Sequence, residues 1–154
     1  MKDTATLKNA GVPDDAVQHS LEVARKCLEI ASRLKIPVDK HLLARGALFH
    51  DLGKAKSHGL DHGEIGAQMA VDLGLDEAIR QIILKHVRAG LTESEAKEYG
   101  LPVRDYTLRT PEEKIVTYAD WLVDIYTDGI VPGANEAMAE AQYVEIVNSY
   151  DKYS

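Results

Sequence analysis

Apolar residues return at intervals of three and four through most of this chain, and the stripes they draw repeatedly carry a histidine or an aspartate. That combination narrows the possible folds sharply. Spacing of this kind winds a helix with one apolar face. A polar group held on such a face costs free energy unless a partner compensates it. The chain must therefore fold as packed helices whose interior supplies those partners.

After Pro13, Asp14 or Asp15 can cap a helix with Val17, Leu21, Ala24, Leu28 and Ala31 on its apolar face. Val23, Cys27 and Ile30 widen the arc and leave His19 at its edge. A second helix is expected from an Asp39 cap through Leu42, Leu43, Ala47 and Leu48, with His50 and Asp51 in its last turn and Gly53 as terminator. Residues 54–61 are polar and read as a loop, after which His62 opens a helix carrying Ile65, Met69, Ala70 and Leu73. Asp76 can cap the next, in which Ile79, Ile82 and Ile83 bring His86 onto the apolar face. Thr92 with Glu95, and Thr110 with Pro111 and Glu113, are capping-box patterns for a short and a long helix, joined by a connector at residues 100–109. On the long helix Asp120 stands within the stripe of Val116, Ala119 and Val123, and a last helix is expected from Asn135. No segment alternates as a strand does, so the expected fold is an all-α single domain over residues 1–154, its helical core at 14–148.

Composition fits that picture and excludes several functions. A length of 154 residues with 45% hydrophobic and 28% charged residues suits one folded domain. No apolar run approaches the ~20 residues of a membrane span, and the opening MKDTATLKNAGVPDD lacks the apolar centre of a signal peptide, so a cytoplasmic protein with no membrane partner is expected. The single cysteine, Cys27, excludes an internal disulfide and reads as core filler. A formal net charge of −7 argues against bulk nucleic-acid binding, which relies on many cationic contacts to phosphates.

Histidines and carboxylates on several helices can all be compensated at once by a shared metal ion. Imidazole and carboxylate suit zinc, iron, manganese, cobalt or nickel, and the near absence of cysteine argues against a thiolate site.

The ordered set His19 in HSLEVA, the doublet His50–Asp51 in ALFHDLGK, and Asp120 in KIVTYADWLV resembles the HD superfamily of metal-dependent phosphohydrolases. His62 in DHGEIGA and His86 in ILKHV resemble the branch of that superfamily that holds two metals. The resemblance implies a compact helical bundle in which His19, His50, Asp51 and Asp120 hold one divalent transition metal ion. His62 and His86 would hold a second, with Asp51 bridging. It further implies hydrolysis of a phosphoester or phosphoanhydride by a metal-activated water, on a small phosphorylated substrate such as a nucleotide. Asp51 and Lys54 are then the residues nearest the chemistry, with Lys54 and Arg88 as phosphate contacts.

Within the superfamily the chain is similar to the small symmetric diadenosine tetraphosphate hydrolases in ligand order. It lacks the GYP string of cyclic dinucleotide phosphodiesterases, and Gly53 and Lys54 follow the doublet where the deoxynucleotide monophosphatase branch has an acidic residue. The alternative is a metal- and nucleotide-binding module without turnover. Tyr118, Trp121 and Tyr126 read as core residues rather than a stacking platform for a base, and Asp124 either orients a ligand or faces water. His41 and His58 have no placement that makes them ligands.

Overall fold

The computed structural model describes residues 2–127, together with Ala137 and Ala141. In chain order the helices are α1 (Lys2–Ala10), α2 (Asp14–Arg33), α3 (Lys40–Phe49), α4 (His62–Asp72), α5 (Glu77–Lys85), α6 (Glu93–Glu98) and α7 (Pro111–Leu122). Single 3₁₀ turns follow α3 (Leu52–Ala55) and α5 (Val87–Ala89), and α7 runs on into a π turn, Val123–Thr127. Among the described residues there is no strand. None of their helices is long and apolar enough to cross a membrane.

Helix α3 is central and packs against α1, α2, α5 and α7. On one side, Val23 and Cys27 of α2, Leu43 and Ala47 of α3, Ile82 of α5 and Val116 and Ala119 of α7 share a buried cluster. On the other, Phe49 and Leu52 pack with Leu7 of α1, Val17 of α2, Met69 of α4 and Ile79 and Ile83 of α5. His50 and Asp51 lie in sequence between Phe49 and Leu52, so the doublet is held from both sides. Cys27 is the expected core filler, fully buried.

Most expected caps form. Asp39 accepts from the Leu42 amide at 3.0 Å, and Thr92 with Glu95 and Thr110 with Glu113 make complete capping boxes. Glu113 does more: it is buried and pairs with Lys85 at 3.3 Å, joining the helix that precedes His86 to the helix that carries Asp120. The connector at 100–109 is held down by Arg104 and the Tyr106 hydroxyl, which both bond Glu64 of α4. Leu91 and Tyr106 also exchange backbone hydrogen bonds.

Several expectations are corrected. Pro13, not an aspartate, occupies the N-cap of α2, and the Asp15 carboxylate accepts from the next amide, Ala16, at 3.0 Å. Asp76 does occupy the N-cap of α5, but its side chain makes no cap bond. Leu28 is 40% exposed because the buried arc of α2 centres on Ser20 and Cys27, from which Leu28 is turned by roughly 90°. Leu73, at the C-cap of α4, is exposed as well.

Gly53 does not end a helix. It lies inside the 3₁₀ turn, where a Cβ would fall 1.9 Å from the carbonyl oxygen of His62. The absent side chain permits backbone-to-backbone packing of that turn on the start of α4.

Helix α1 was not expected, since Leu7 is its only buried residue. It ends in a Schellman motif: Val12 donates to the Leu7 carbonyl (3.1 Å) and Gly11 to Lys8 (3.0 Å), with Gly11 at φ 97°. Asp3 ties it to Arg45 of α3 through two hydrogen bonds. The last helix expected from Asn135 lies outside the described residues apart from Ala137 and Ala141, which are helical and exposed.

Candidate metal centre

Three of the four candidate ligand histidines are oriented by the same device. His50 and His86 are the C-caps of α3 and α5, positions where the last carbonyls of a helix have no amide partner. Each ring takes one of those carbonyls: His50 Nδ1 donates to Ala47 O at 2.6 Å, and His86 Nδ1 to Ile83 O at 2.7 Å. His62, first residue of α4, donates from Nδ1 to Gly59 O at 2.8 Å. A ring that donates through Nδ1 presents a bare Nε2 as acceptor or ligand. His19 sits inside α2, where backbone carbonyls are spent on the helix, and its Nδ1 instead faces the Asp124 carboxylate at 3.5 Å.

All four Nε2 atoms converge on Asp51. Its Oδ2 lies 3.3 Å from His50 Nε2 and 3.8 Å from His19 Nε2. Its Oδ1 lies 3.4 Å from His62 Nε2 and 3.2 Å from His86 Nε2. Asp120 closes the first group at 2.7 Å from His19 and 3.4 Å from His50. The result is two clusters sharing one carboxylate: His19, His50, Asp51 and Asp120, and Asp51, His62 and His86, each with ligand atoms within 4.8 Å of one another.

The donor set fits divalent transition metals. Bonds of about 2.0–2.2 Å to a common ion put neighbouring ligand atoms roughly 3.0–3.4 Å apart, which is the spacing of most pairs here. His50 Nε2 is fully buried with no hydrogen-bond partner, and His62 and His86 bring their Nε2 atoms to 2.9 Å of each other. Buried nitrogens left so are costly unless something is bound between them.

Electrostatics tell the same story. Burial opposes ionisation of Asp51, but the neighbouring His50, with bonds from His62 and His86, overcomes it and holds the carboxyl well below the usual range. Asp120 is likewise held down, against its burial, by His50 and His19. Burial disfavours the charged ring of His50, yet Asp51 and Asp120 raise it well above its ordinary value. His19 is raised against burial by its bond to Asp120. His86 is lowered, chiefly by burial.

A cavity of about 410 Å³ opens beside the first cluster, lined by Asp15, Ala16, His19, Lys54, His58 and Asp124. That volume lies within the ~300–1,000 Å³ typical of small-molecule sites. Lys54 projects from the 3₁₀ turn to 3.3 Å from Asp51 Oδ2, and Asp51 raises its ammonium pKa against the effect of burial. Arg88, the other expected phosphate contact, is exposed and turned elsewhere: its guanidinium covers the Tyr99 ring at 4.9 Å and donates to the Tyr99 hydroxyl at 3.1 Å. Tyr118 and Trp121 pack with Leu122 and Ile125, while the side chain of Tyr126 lies outside what is described. His41 is exposed on α3.

The structure adds what periodicity could not. Asp124 and Asp15 reach the cavity from helix ends, and His58 reaches it from a polar loop. The spacing of Asp124, four residues beyond Asp120, was the only signal among them.

The chain is 41% identical over 125 residues to an uncharacterized protein of Methanocaldococcus jannaschii, covering 79% of this chain and 73% of that protein. It is 40% identical over 119 residues, 77% of its length, to a tRNA (cytidine(56)-2'-O)-methyltransferase of Picrophilus torridus, of which it spans only 34%. Among solved structures, the HD domain of the L. monocytogenes phosphodiesterase PgpH in complex with cyclic-di-AMP superposes with a TM-score of 0.70 at 18% identity, over 94% of this chain and 81% of that one. Residues 16–123 match the family model of the HD domain, a stretch that contains both ligand clusters, and the chain belongs to the HD domain family.

Proposed function

We propose that this chain is a metal-dependent phosphohydrolase acting on a phosphoester or phosphoanhydride of a nucleotide or related phosphorylated metabolite. His19, His50, Asp51 and Asp120 would hold one divalent ion, and Asp51, His62 and His86 a second. One observation carries the reading: the two oxygens of Asp51 face different clusters, beside a cavity whose wall includes Lys54. Ions bound there lower the pKa of coordinated water and neutralise charge on phosphoryl oxygens.

The protein's own residues supply the rest. The Asp51 carboxylate stays ionised between the clusters. Lys54 can grip a phosphoryl oxygen from the cavity wall, where partial burial strengthens its field. The nearly complete burial of His50, Asp51 and His86 keeps bulk water from competing for their bonds. A nucleotide is supported by the cyclic-di-AMP bound to the PgpH domain.

The test is hydrolysis of a panel of nucleotides, dinucleotides and sugar phosphates with added manganese, iron or cobalt. Turnover that is lost on chelation and abolished in Asp51→Ala is expected. No turnover of any member would contradict the reading. The methyltransferase-named relatives, of which this chain spans about a third, favour a second reading as an accessory module that binds metal and nucleotide without hydrolysis. Nucleotide affinity that requires metal, in a protein with no measurable rate on the panel, would select it.

A further inference from the structure

One of the two histidines without a ligand-like placement in the sequence, His58, lies on the cavity. We propose that His58 is a substrate-binding residue, which together with Lys54 grips the phosphoryl group that enters beside His19. The proposal deepens the phosphohydrolase reading and rests on it for the identity of the ligand as a phosphoryl compound.

His58 is exposed and lines the same cavity as Lys54 and the candidate ligand His19. Among the described residues its ring has no hydrogen-bond partner, so both nitrogens are available to a ligand. Its backbone is not loose. Ser57 Oγ donates to Asp61 Oδ1 at 2.6 Å, and the Gly59 amide donates to Ser57 Oγ at 3.1 Å. The Gly59 carbonyl accepts from the His62 amide at 3.1 Å and from His62 Nδ1 at 2.8 Å. The loop that orients a candidate metal ligand therefore also sets the position of His58, so little ordering remains to be done when a ligand arrives.

Charge decides what enters. Lys54 and His58 offer donors, whereas Asp15 and Asp124 on the same cavity repel a free anion. An anion is accepted only when metal has offset those carboxylates. A phosphoryl group, with several acceptor oxygens, can then reach metal, ammonium and imidazole together.

Inorganic phosphate is the probe. Its affinity for the manganese-loaded protein would be measured by calorimetry, with metal content determined in parallel, for wild type, His58→Ala, His58→Gln and the control His41→Ala. The expected result is phosphate binding that needs manganese, a loss of about tenfold in His58→Ala, partial recovery in His58→Gln, and no change in His41→Ala. Affinity in His58→Ala within about twofold of wild type would overturn the assignment. So would absence of phosphate binding in the wild type, or loss of metal from His58→Ala, which would give the loop to His62 alone. Phosphate binding with no turnover of any phosphoester would sink the hydrolase reading and leave His58 standing.

Discussion

At the scale of single residues, what distinguishes the candidate ligand histidines is the partner of Nδ1. Carbonyls serve His50, His62 and His86, and a carboxylate serves His19. Replacing Asp124 with alanine should weaken metal binding at the first cluster by about tenfold, whereas Asp124→Asn, which keeps an acceptor, should retain most of the affinity. Competition against a chromophoric chelator measures both.

The proton inventory predicts a pH dependence. His19 and His50 are raised above their ordinary value in the metal-free protein, so a metal must displace their protons. Affinity should therefore fall as pH drops and the rings hold protons more firmly. Binding near neutral pH should release protons, visible as a buffer-dependent heat. A heat that does not change with the buffer's ionisation enthalpy would contradict this.

The candidate ligands themselves were legible in the sequence, because an inward helical position is a periodic property. His58 was not, since a polar loop places it without a periodic trace, and of Asp124 only the spacing of four from Asp120 was readable, not which way the π turn would aim it.

At the scale of elements, the site depends on how closely helices approach. Gly53 allows the 3₁₀ turn after Asp51 to touch the first turn of α4, and a Cβ there would collide with the His62 carbonyl. Gly53→Ala should cost about 3 kcal/mol and displace His62, so metal content should fall together with the melting temperature. Glu113 is the second such joint, capping α7 while pairing with buried Lys85. Glu113→Ala should cost about 3 kcal/mol by stranding the lysine, which lowers the melting temperature by roughly 10 °C. Glu113→Gln keeps an acceptor for the cap and should lose less.

Element boundaries were readable where a cap states itself, as at Asp39, Thr92 and Thr110. They were misread where packing decides. Gly53 resembles a helix stop in one dimension and is a point of contact in three. Helix α1 leaves no stripe because Leu7 is its only buried residue, although Gly11 and Val12 already spell its Schellman end.

At the scale of the whole molecule, two apolar clusters flank α3 and leave a polar seam through the middle of the bundle, and the histidines and aspartates fill it. The helical class was legible because nearly every segment repeats at three and four. The arrangement of those helices around the doublet was not, because it follows from which faces meet. Ligands that bind only the folded state stabilise it by about 2.7 kcal/mol at a hundredfold excess over the dissociation constant, so chelation should lower the melting temperature and restored metal should recover it.

The central claim is one carboxylate shared by two metal positions, and metal content judges it most directly. Protein purified without chelator and saturated with manganese or iron should carry about two ions per chain. A content near one or none under those conditions would contradict the account.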